Sequence, residues 1–227
     1  MTAPPPNYDG IARAYRWLEY LALGPLLQRT RTAHIAHLRD ARQALILGDG
    51  DGRFTAALLA TNPAIQIEAV DASPRMLTLL RSRCAPYLQR LTTTQADIRT
   101  HCPGAPSQTV SSFEVGSHQP TPDLVVTHFV LDCLTQSEVD SLISRLAPTL
   151  GPKAQWLVSD FQIPAGPLHW PARIYIRLLY LAFRFLTGTT PTRLPDHIPA
   201  LQRAGFSLIA EQQYLFGILT SQLWQHE

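Results

Sequence analysis

Short apolar runs alternate with longer segments of helical periodicity through the middle of the chain. The strand-like runs lie at 44–47, 66–70, 91–95, 124–127 and 155–159. The first is wholly apolar, which is typical of a strand buried on both faces of a parallel sheet. Helices are predicted to begin near Arg53, at Pro74 after the capping Ser73, and at Gln136. This alternation predicts an α/β fold with a doubly wound, mostly parallel sheet and helices on both faces.

The two ends of the chain extend this core. Residues 11–27 carry apolar positions at helical spacing, and 28–38 continue the pattern, so we expect an N-terminal helical cap over 7–40. Runs at 206–215 and 218–224, joined at Gly217, predict a C-terminal antiparallel hairpin that brings the sheet to seven strands. We therefore predict a single domain, 1–227, with a cap at 7–40, a core at 44–160, an inserted lid helix within 161–195, and a C-terminal helix and hairpin at 196–227.

Composition and charge narrow the classes of function. Lysine plus arginine exceed aspartate plus glutamate by only 19 to 17, so we expect no field that would gather nucleic acid. Cys84, Cys102 and Cys133 have neither zinc-site spacing nor the even count of a disulfide framework, which favours reduced thiols in a cytoplasmic protein. No metal site, secretory signal or transmembrane segment is expected.

A glycine cluster follows the first strand and is the most informative segment. It consists of Gly48, Asp49, Gly50, Asp51 and Gly52. Glycines at alternate positions let a ligand lie against the main chain. A dinucleotide-binding loop would need glycine or alanine where Arg53 stands. The two aspartates would repel a pyrophosphate, whereas they suit the ammonium or sulfonium of a cationic ligand.

Asp71 lies at the end of the second strand, roughly 20 residues beyond the glycine cluster. A carboxylate at this place accepts hydrogen bonds from both hydroxyls of a ribose. Each feature alone has a plainer explanation, since a glycine cluster suits any tight strand-to-helix turn and an acid suits a helix cap. Their combination favours an adenosyl ligand.

The order of these residues resembles class I S-adenosylmethionine-dependent methyltransferases, especially the small-molecule enzymes that include the quinone-biosynthesis methyltransferases. The resemblance covers about 44–160 and implies that the glycines hold the methionine part of S-adenosylmethionine while Asp71 binds the ribose. It further implies that Ala72, Ser73 and Met76 flank the adenosine, that Asp97 and Ile98 meet the adenine, and that His128 and Phe129 form the floor beside the methyl group. Asp97 also fits an ordinary loop acid, and His128 a structural histidine.

One position departs from the family pattern. The family carries an acid two residues before the first glycine, where this chain has Ile46. The ammonium of the methionine would lose its usual partner there. We hypothesise that Asp49 or Asp51 takes over that charge.

Methyl transfer from a sulfonium is an in-line displacement in which a base is optional. If the acceptor is a hydroxyl, His128 and Asp132 are the nearest candidate bases. Aromatic residues in the N-terminal cap and after the fifth strand suit a small apolar or aromatic acceptor. The candidates for this wall are Tyr8, Tyr15, Trp170 and Tyr175.

Three alternatives stay open for the arginine-striped helix at 172–186. Arg173, Arg177 and Arg184 share one face, and the apolar face packs on the sheet or on a second subunit of a homodimer, lines a substrate channel, or lies on a membrane surface. Two rival functions also remain, a nicotinamide-dependent oxidoreductase and a non-catalytic binding protein with the same fold.

Overall fold

A seven-stranded mixed sheet forms the centre of the molecule. The computed structural model describes residues 25–101, 121–164, 166–187 and 194–227, without the side chains of 179–187. The strands are β1 Gln43–Leu47, β2 Gln66–Asp71, β3 Leu91–Gln95, β4 Leu124–His128, β5 Gln155–Phe161, β6 Phe206–Tyr214 and β7 Leu219–His226. Their order across the sheet is β3-β2-β1-β4-β5-β7-β6. The first five strands are parallel, and β7 runs antiparallel to both β5 and β6. The predicted fold class and the C-terminal hairpin are confirmed.

Six α-helices connect or flank the strands in the described residues. They are α1 Leu26–Thr32, α2 Arg53–Thr61, α3 Pro74–Arg83, α4 Gln136–Leu146, α5 His169–Thr187 and α6 Ile198–Arg203. The predicted starts of α2, α3 and α4 are confirmed, and each has a local cause. Gly52 adopts a left-handed conformation before α2, Ser73 accepts the Met76 N–H before α3, and Thr135 forms a capping box with Glu138 before α4.

The strand alternation gives the sheet two separate apolar faces. Leu45 and Leu47 of β1 join one cluster with the buried side of α4, whereas Ala44 and Ile46 join a second cluster with α2 and α3. Successive side chains of a strand point to opposite faces, so a strand covered on both sides must be apolar throughout. Ile46 is therefore core, and the family's usual acid has no counterpart at that position.

The helical pattern predicted for 28–38 is split in two. α1 ends at Thr32, and a separate 3₁₀ turn spans Ile35–Leu38. The hydroxyls of Thr30 and Thr32 bond back to the carbonyls four residues earlier, and both the back-bonding and the β-branched side chains weaken the end of this helix slightly. Residues 1–24, which include most of the predicted cap, and residues 102–120 lie outside the described residues. None of the described helices combines the length and apolar character that a membrane span requires.

Candidate cofactor-binding site

The glycine loop between β1 and α2 owes its shape to three left-handed residues. Gly48, Gly50 and Gly52 have φ of +69°, +62° and +78°, a region that costs other residues about 1–2 kcal/mol. A Cβ on Gly48 would lie 2.7 Å from a methyl of Val130, and a Cβ on Gly52 would lie 2.8 Å from the Cα of Leu80. A Cβ on Gly50 would meet no atom of the described residues within 4 Å. Packing therefore requires two of the glycines, while no described residue packs against the third.

Asp49 is a buried acid with one unpaired oxygen. Its Oδ2 accepts hydrogen bonds from the Thr55 N–H at 2.9 Å and the Thr55 hydroxyl at 2.6 Å. Its Oδ1 is buried and has no hydrogen-bond partner in the described structure, and the residue is only 8% exposed. Burial raises the pKa of Asp49, against the hydrogen bonds of Thr55 and the charge of Arg31, which lower it. This oxygen needs a cationic or donor partner that the described protein does not supply.

Asp51 differs from Asp49, although the sequence left the two equivalent. Its carboxylate lies 3.1 Å from Nε of Arg53 and 2.9 Å from Nη2 of Arg83. Nε of Arg83 also donates to the backbone carbonyl of Asp51 at 2.8 Å. The charge of Asp51 is thus balanced by Arg53 and Arg83. Asp49 is the acid that remains available to a ligand.

Arg31 and His128 lie in the same buried neighbourhood. The guanidinium of Arg31 stacks 5.2 Å from the centre of the Phe129 ring, and its charge lowers the pKa of both Asp49 and His128. His128 is buried edge-to-face against Phe54 at 4.4 Å. Burial, followed by the charge of Arg31, holds the pKa of His128 well below its usual value. The imidazole is therefore neutral at pH 7, and neither ring nitrogen has a hydrogen-bond partner among the described residues.

At the end of β2, Asp71 stabilises the turn into α3 and is also placed to meet a ligand, two roles that the sequence presented as alternatives. Asp71 accepts the Ser73 N–H at 2.9 Å, so it shapes the turn into α3 while its side chain remains partly exposed at the strand end. Met76 is buried beneath this turn, and Ala72 is exposed. An acid that stabilises its own turn is well positioned to receive further donors.

The carboxylate of Asp97 accepts several hydrogen bonds from Arg99, which the sequence did not indicate. Nε of Arg99 donates to both of its oxygens at 3.0 and 2.9 Å, and Nη2 donates to Oδ2 at 2.6 Å. Burial acts to raise the pKa of Asp97, but these bonds outweigh it and the pKa lies below its usual value. Ile98 is buried in the apolar cluster on the α4 side of the sheet. If Asp97 contacts an adenine, as the family resemblance implies, it does so with a carboxylate that already accepts hydrogen bonds from Arg99.

Two acids meet where β4 and β5 end: Asp160 is the penultimate residue of β5, and Asp132 lies in the 3₁₀ turn Leu131–Cys133 after β4. Oδ2 of Asp160 accepts the Asp132 N–H at 3.2 Å, and Oδ1 accepts the Phe161 N–H at 2.8 Å. Burial raises the pKa of Asp132 to about 6. Burial and the charge of Asp132 raise the pKa of Asp160 well above its usual value. Because two neighbouring buried carboxyls do not readily ionise together, the pair keeps a proton into the neutral range.

An apolar cluster adjoins this acid pair. Phe129 and Phe161 meet edge-to-face at 5.4 Å, and Tyr175 of α5 packs against the same cluster. Trp170 is mostly exposed, so the structure does not bring it to this cluster. Tyr8 and Tyr15 lie outside the described residues. Of the four aromatic residues predicted to line an acceptor site, Tyr175 is the one that the described structure places in the same apolar cluster as Phe129.

Comparison with solved structures identifies the fold. The chain superposes on an O-methyltransferase family protein from Burkholderia thailandensis with a TM-score of 0.67 and 15% identity, over 95% of this chain and 59% of that one. It matches the N-methyltransferase NodS from Bradyrhizobium japonicum WM9, solved with S-adenosyl-L-homocysteine, with a TM-score of 0.59 and 14% identity over 88% and 87% of the two chains. The mitomycin 7-O-methyltransferase MmcR gives 0.66 and 16% over 97% and 61%. The chain has the fold of class I methyltransferases.

At these identities the likeness establishes the methyltransferase fold alone. The chain spans about three fifths of the Burkholderia protein and of MmcR. No protein-family model matches it, and no curated protein matches it. Within this methyltransferase fold the glycine loop, Asp71, His128 and Asp160 all lie at the carboxyl ends of parallel strands, where α/β sheets bind ligands.

The sequence interpretation missed two site residues. Asp160 follows the apolar run of β5 as Asp71 follows that of β2, so the signal that found one acid was present for the other. Arg31 carried no such signal, because an arginine in an amphipathic helix ordinarily faces solvent. Only the fold brings it to Asp49.

Proposed function

We propose that the protein transfers a methyl group from S-adenosylmethionine to a small, apolar or aromatic acceptor. The observation that carries this proposal is the buried Oδ1 of Asp49, which has no hydrogen-bond partner among the described residues and belongs to the residue next to Gly50 in the glycine loop. A buried anion next to bare backbone suits a compact cationic ligand and opposes a diphosphate. The methyltransferase fold and the acid at Asp71 support the same conclusion.

Asp49 and Arg31 suit the two charges of a methionine zwitterion. We assign the α-ammonium to Oδ1 of Asp49, which replaces the acid that Ile46 cannot provide. We assign the α-carboxylate to Arg31, whose charge acts on Asp49 and His128 from the cap side of the site. Such charge-assisted hydrogen bonds contribute about 1.5–3 kcal/mol each. The glycines would let the main chain approach the ligand closely.

The adenosine half of the cofactor is assigned to the ends of β2 and β3. Asp71 would accept the ribose hydroxyls, with Ala72, Ser73 and Met76 along the adenosine. Asp97 and Ile98 would meet the adenine, and Arg99 would orient Asp97 for a single contact through its remaining lone pairs.

The bound cofactor supplies an electrophilic methyl group on a sulfonium. The protein's part is to align the acceptor and exclude water, and orientation of this kind contributes up to about 7–11 kcal/mol. For a hydroxyl acceptor, we assign the role of general base to Asp132, whose carboxylate would accept the hydroxyl proton. The pKa of about 6 leaves this carboxylate ionised at neutral pH. Such a base adds roughly 10²–10⁴-fold. Neutral, buried His128 fits the floor of the site better than the base.

The proposed acceptor site lies among Phe129, Phe161 and Tyr175, which favour an apolar or aromatic molecule. A cytoplasmic location stays a prediction, to which Cys84 and Cys133 contribute as free thiols. The dehydrogenase alternative is disfavoured because Arg53 replaces its third glycine and Asp49 adds a buried negative charge.

Calorimetry with the purified protein tests the proposal. S-adenosylmethionine and S-adenosylhomocysteine should bind and NAD should not. Gly50→Ala should abolish binding, because its new methyl group occupies the open side of the loop. Gly166→Ala is the matched control, since Gly166 has φ +86° and no atom of the described residues within 4 Å of its Cβ position, but lies outside the glycine loop. Binding of NAD alone would indicate a dehydrogenase, and binding of none of the three would indicate a non-catalytic protein.

A further inference from the structure

The solvent side of α5 carries an apolar stripe. Trp170, Ile174 and Leu178 follow one another at four-residue intervals and are 69%, 58% and 60% exposed. Ala172 and Ile176, on the opposite side of the same helix, are buried. The helix therefore packs on the protein through one apolar side and presents a second apolar side to solvent. Contiguous exposed apolar surface of this kind marks an interaction site.

The turn between β6 and β7 adds another exposed apolar side chain nearby. Phe216 is 80% exposed and is held at φ +55°, a conformation that costs a phenylalanine energy. The adjacent Gly217 lies against Pro164, with its Cβ position 3.2 Å from the proline ring. Pro164 belongs to the segment that leads into α5, where Leu168 is also exposed. Leu215 and Ile218 of this turn pack in the same apolar cluster as Ile176 of α5, so the turn lies close to the helix.

Basic residues border the stripe. Arg173 and Arg177 are exposed and lie on one flank of it at 100° per residue, and the guanidinium of Arg173 lies 5.7 Å from the Trp170 ring. The 19 residues of α5 contain three arginines and neither aspartate nor glutamate. A helix with tryptophan and aliphatic residues beside arginines, and without acids, matches the pattern of helices that lie in a membrane interface.

The charges on α5 favour a membrane, and not a second copy of the chain, as the surface that covers the apolar stripe. A two-fold interface would bring the stripes of two copies together and set their arginines against each other. No acid on α5 is available to offset that repulsion. Anionic headgroups would instead pair with Arg173 and Arg177 while the apolar side chains enter the acyl boundary.

We propose that this protein docks reversibly on anionic membranes through the stripe formed by Trp170, Ile174 and Leu178, bordered by Arg173 and Arg177. The helix lies in the plane of the interface and does not cross it. This inference does not depend on the proposed methyl transfer, because docking needs neither the cofactor nor an acceptor.

Vesicle co-sedimentation of the full chain tests docking. The protein should bind vesicles that contain phosphatidylglycerol, bind vesicles of phosphatidylcholine alone much more weakly, and dissociate in high salt. Trp170→Ala should weaken binding about tenfold, since the loss of one inserted aromatic side chain is on this scale. Leu88→Ala is the matched control, because Leu88 is 45% exposed in the 3₁₀ turn Ala85–Arg90 on another part of the surface. It should bind as the parent does.

A second pair of variants separates local from net charge. Arg173→Glu with Arg177→Glu should abolish binding, whereas Arg39→Glu with Arg81→Glu, which changes the net charge equally at two other exposed arginines, should retain most of it. Absence of binding to phosphatidylglycerol vesicles overturns the proposal, as does equal loss in both double variants. A dimer in sedimentation velocity that Trp170→Ala dissociates, without vesicle binding, would assign the stripe to a second copy instead.

Discussion

Replacing Asp49 by asparagine should change stability and ligand affinity in opposite directions. Oδ1 of Asp49 is buried in the glycine loop, and in the described part of the chain both hydrogen bonds to the carboxylate come from Thr55. Without ligand, the negative charge costs more in desolvation than Thr55 and Arg31 return, which is why the pKa of Asp49 is raised. The neutral amide removes that cost. We expect the free energy of unfolding of the unliganded variant to rise by about 1–2 kcal/mol at pH 7.

The effect must depend on pH with a defined sign. Because the pKa of Asp49 is higher in the folded protein than its ordinary value of 3.8, the folded state binds more protons above that pH, and stability falls as the pH rises. An asparagine side chain at this position cannot titrate. The stability advantage of Asp49→Asn should therefore vanish near pH 4 and grow toward neutral pH, as measured by urea unfolding at a series of pH values.

Affinity for S-adenosylmethionine should fall in the same variant. Loss of one charge-assisted hydrogen bond costs about 1.5–3 kcal/mol, which corresponds to a factor of about 10 to 150 in the dissociation constant measured by calorimetry. 5′-Methylthioadenosine lacks the ammonium, so its binding should not change. Asp51→Asn is the control, since Arg53 and Arg83 already balance that carboxylate. Unchanged cofactor affinity in Asp49→Asn, with a loss in Asp51→Asn, would refute the assignment of the ammonium.

Three further substitutions test the loop, the cap and the acid pair. Arg31→Met should weaken both S-adenosylmethionine and S-adenosylhomocysteine about tenfold and leave 5′-methylthioadenosine unaffected in calorimetry; equal weakening of all three would remove Arg31 from the carboxylate. Gly52→Ala should lower the free energy of unfolding by about 2–4 kcal/mol in urea, because its Cβ meets the backbone of Leu80 at a left-handed residue; a smaller loss than in Gly50→Ala would contradict this. Asp160→Asn should reduce the fall in stability between pH 4 and 7, since the raised pKa of Asp160 makes its ionised form destabilising; equal slopes in the two proteins would show that Asp160 does not titrate there.

The backbone of the site could be predicted from sequence, but its electrostatics could not. Strand length, apolar alternation, the glycine cluster and the cap at Ser73 are local signals, so they located the glycine loop and the end of β2 to within a residue or two. The difference between Asp49 and Asp51 depends on Arg83, which is 32 positions away along the chain. No periodicity encodes a contact of that kind.

The exposed face of α5 shows the same limit. Its spacing predicted the helix correctly, yet spacing alone does not say which apolar side packs on the rest of the protein. Ala172 and Ile176 pack inward while Ile174 and Leu178 stay outside, and this depends on how the helix is rotated against the rest of the protein. Arg31 was missed for the same reason, because its proximity to Asp49 depends on the tertiary fold.

Gly52 has a consequence for how the site could change over time. Because that glycine lets α3 approach the loop closely, the distance between the loop and the acid at Asp71 is set by two helices in contact. Residues 49–51 would contact the ligand, whereas the contact between the two helices fixes the distance from the loop to Asp71. Evolution could therefore vary residues 49–51 to suit different ligands without altering the span that an adenosyl group must fit.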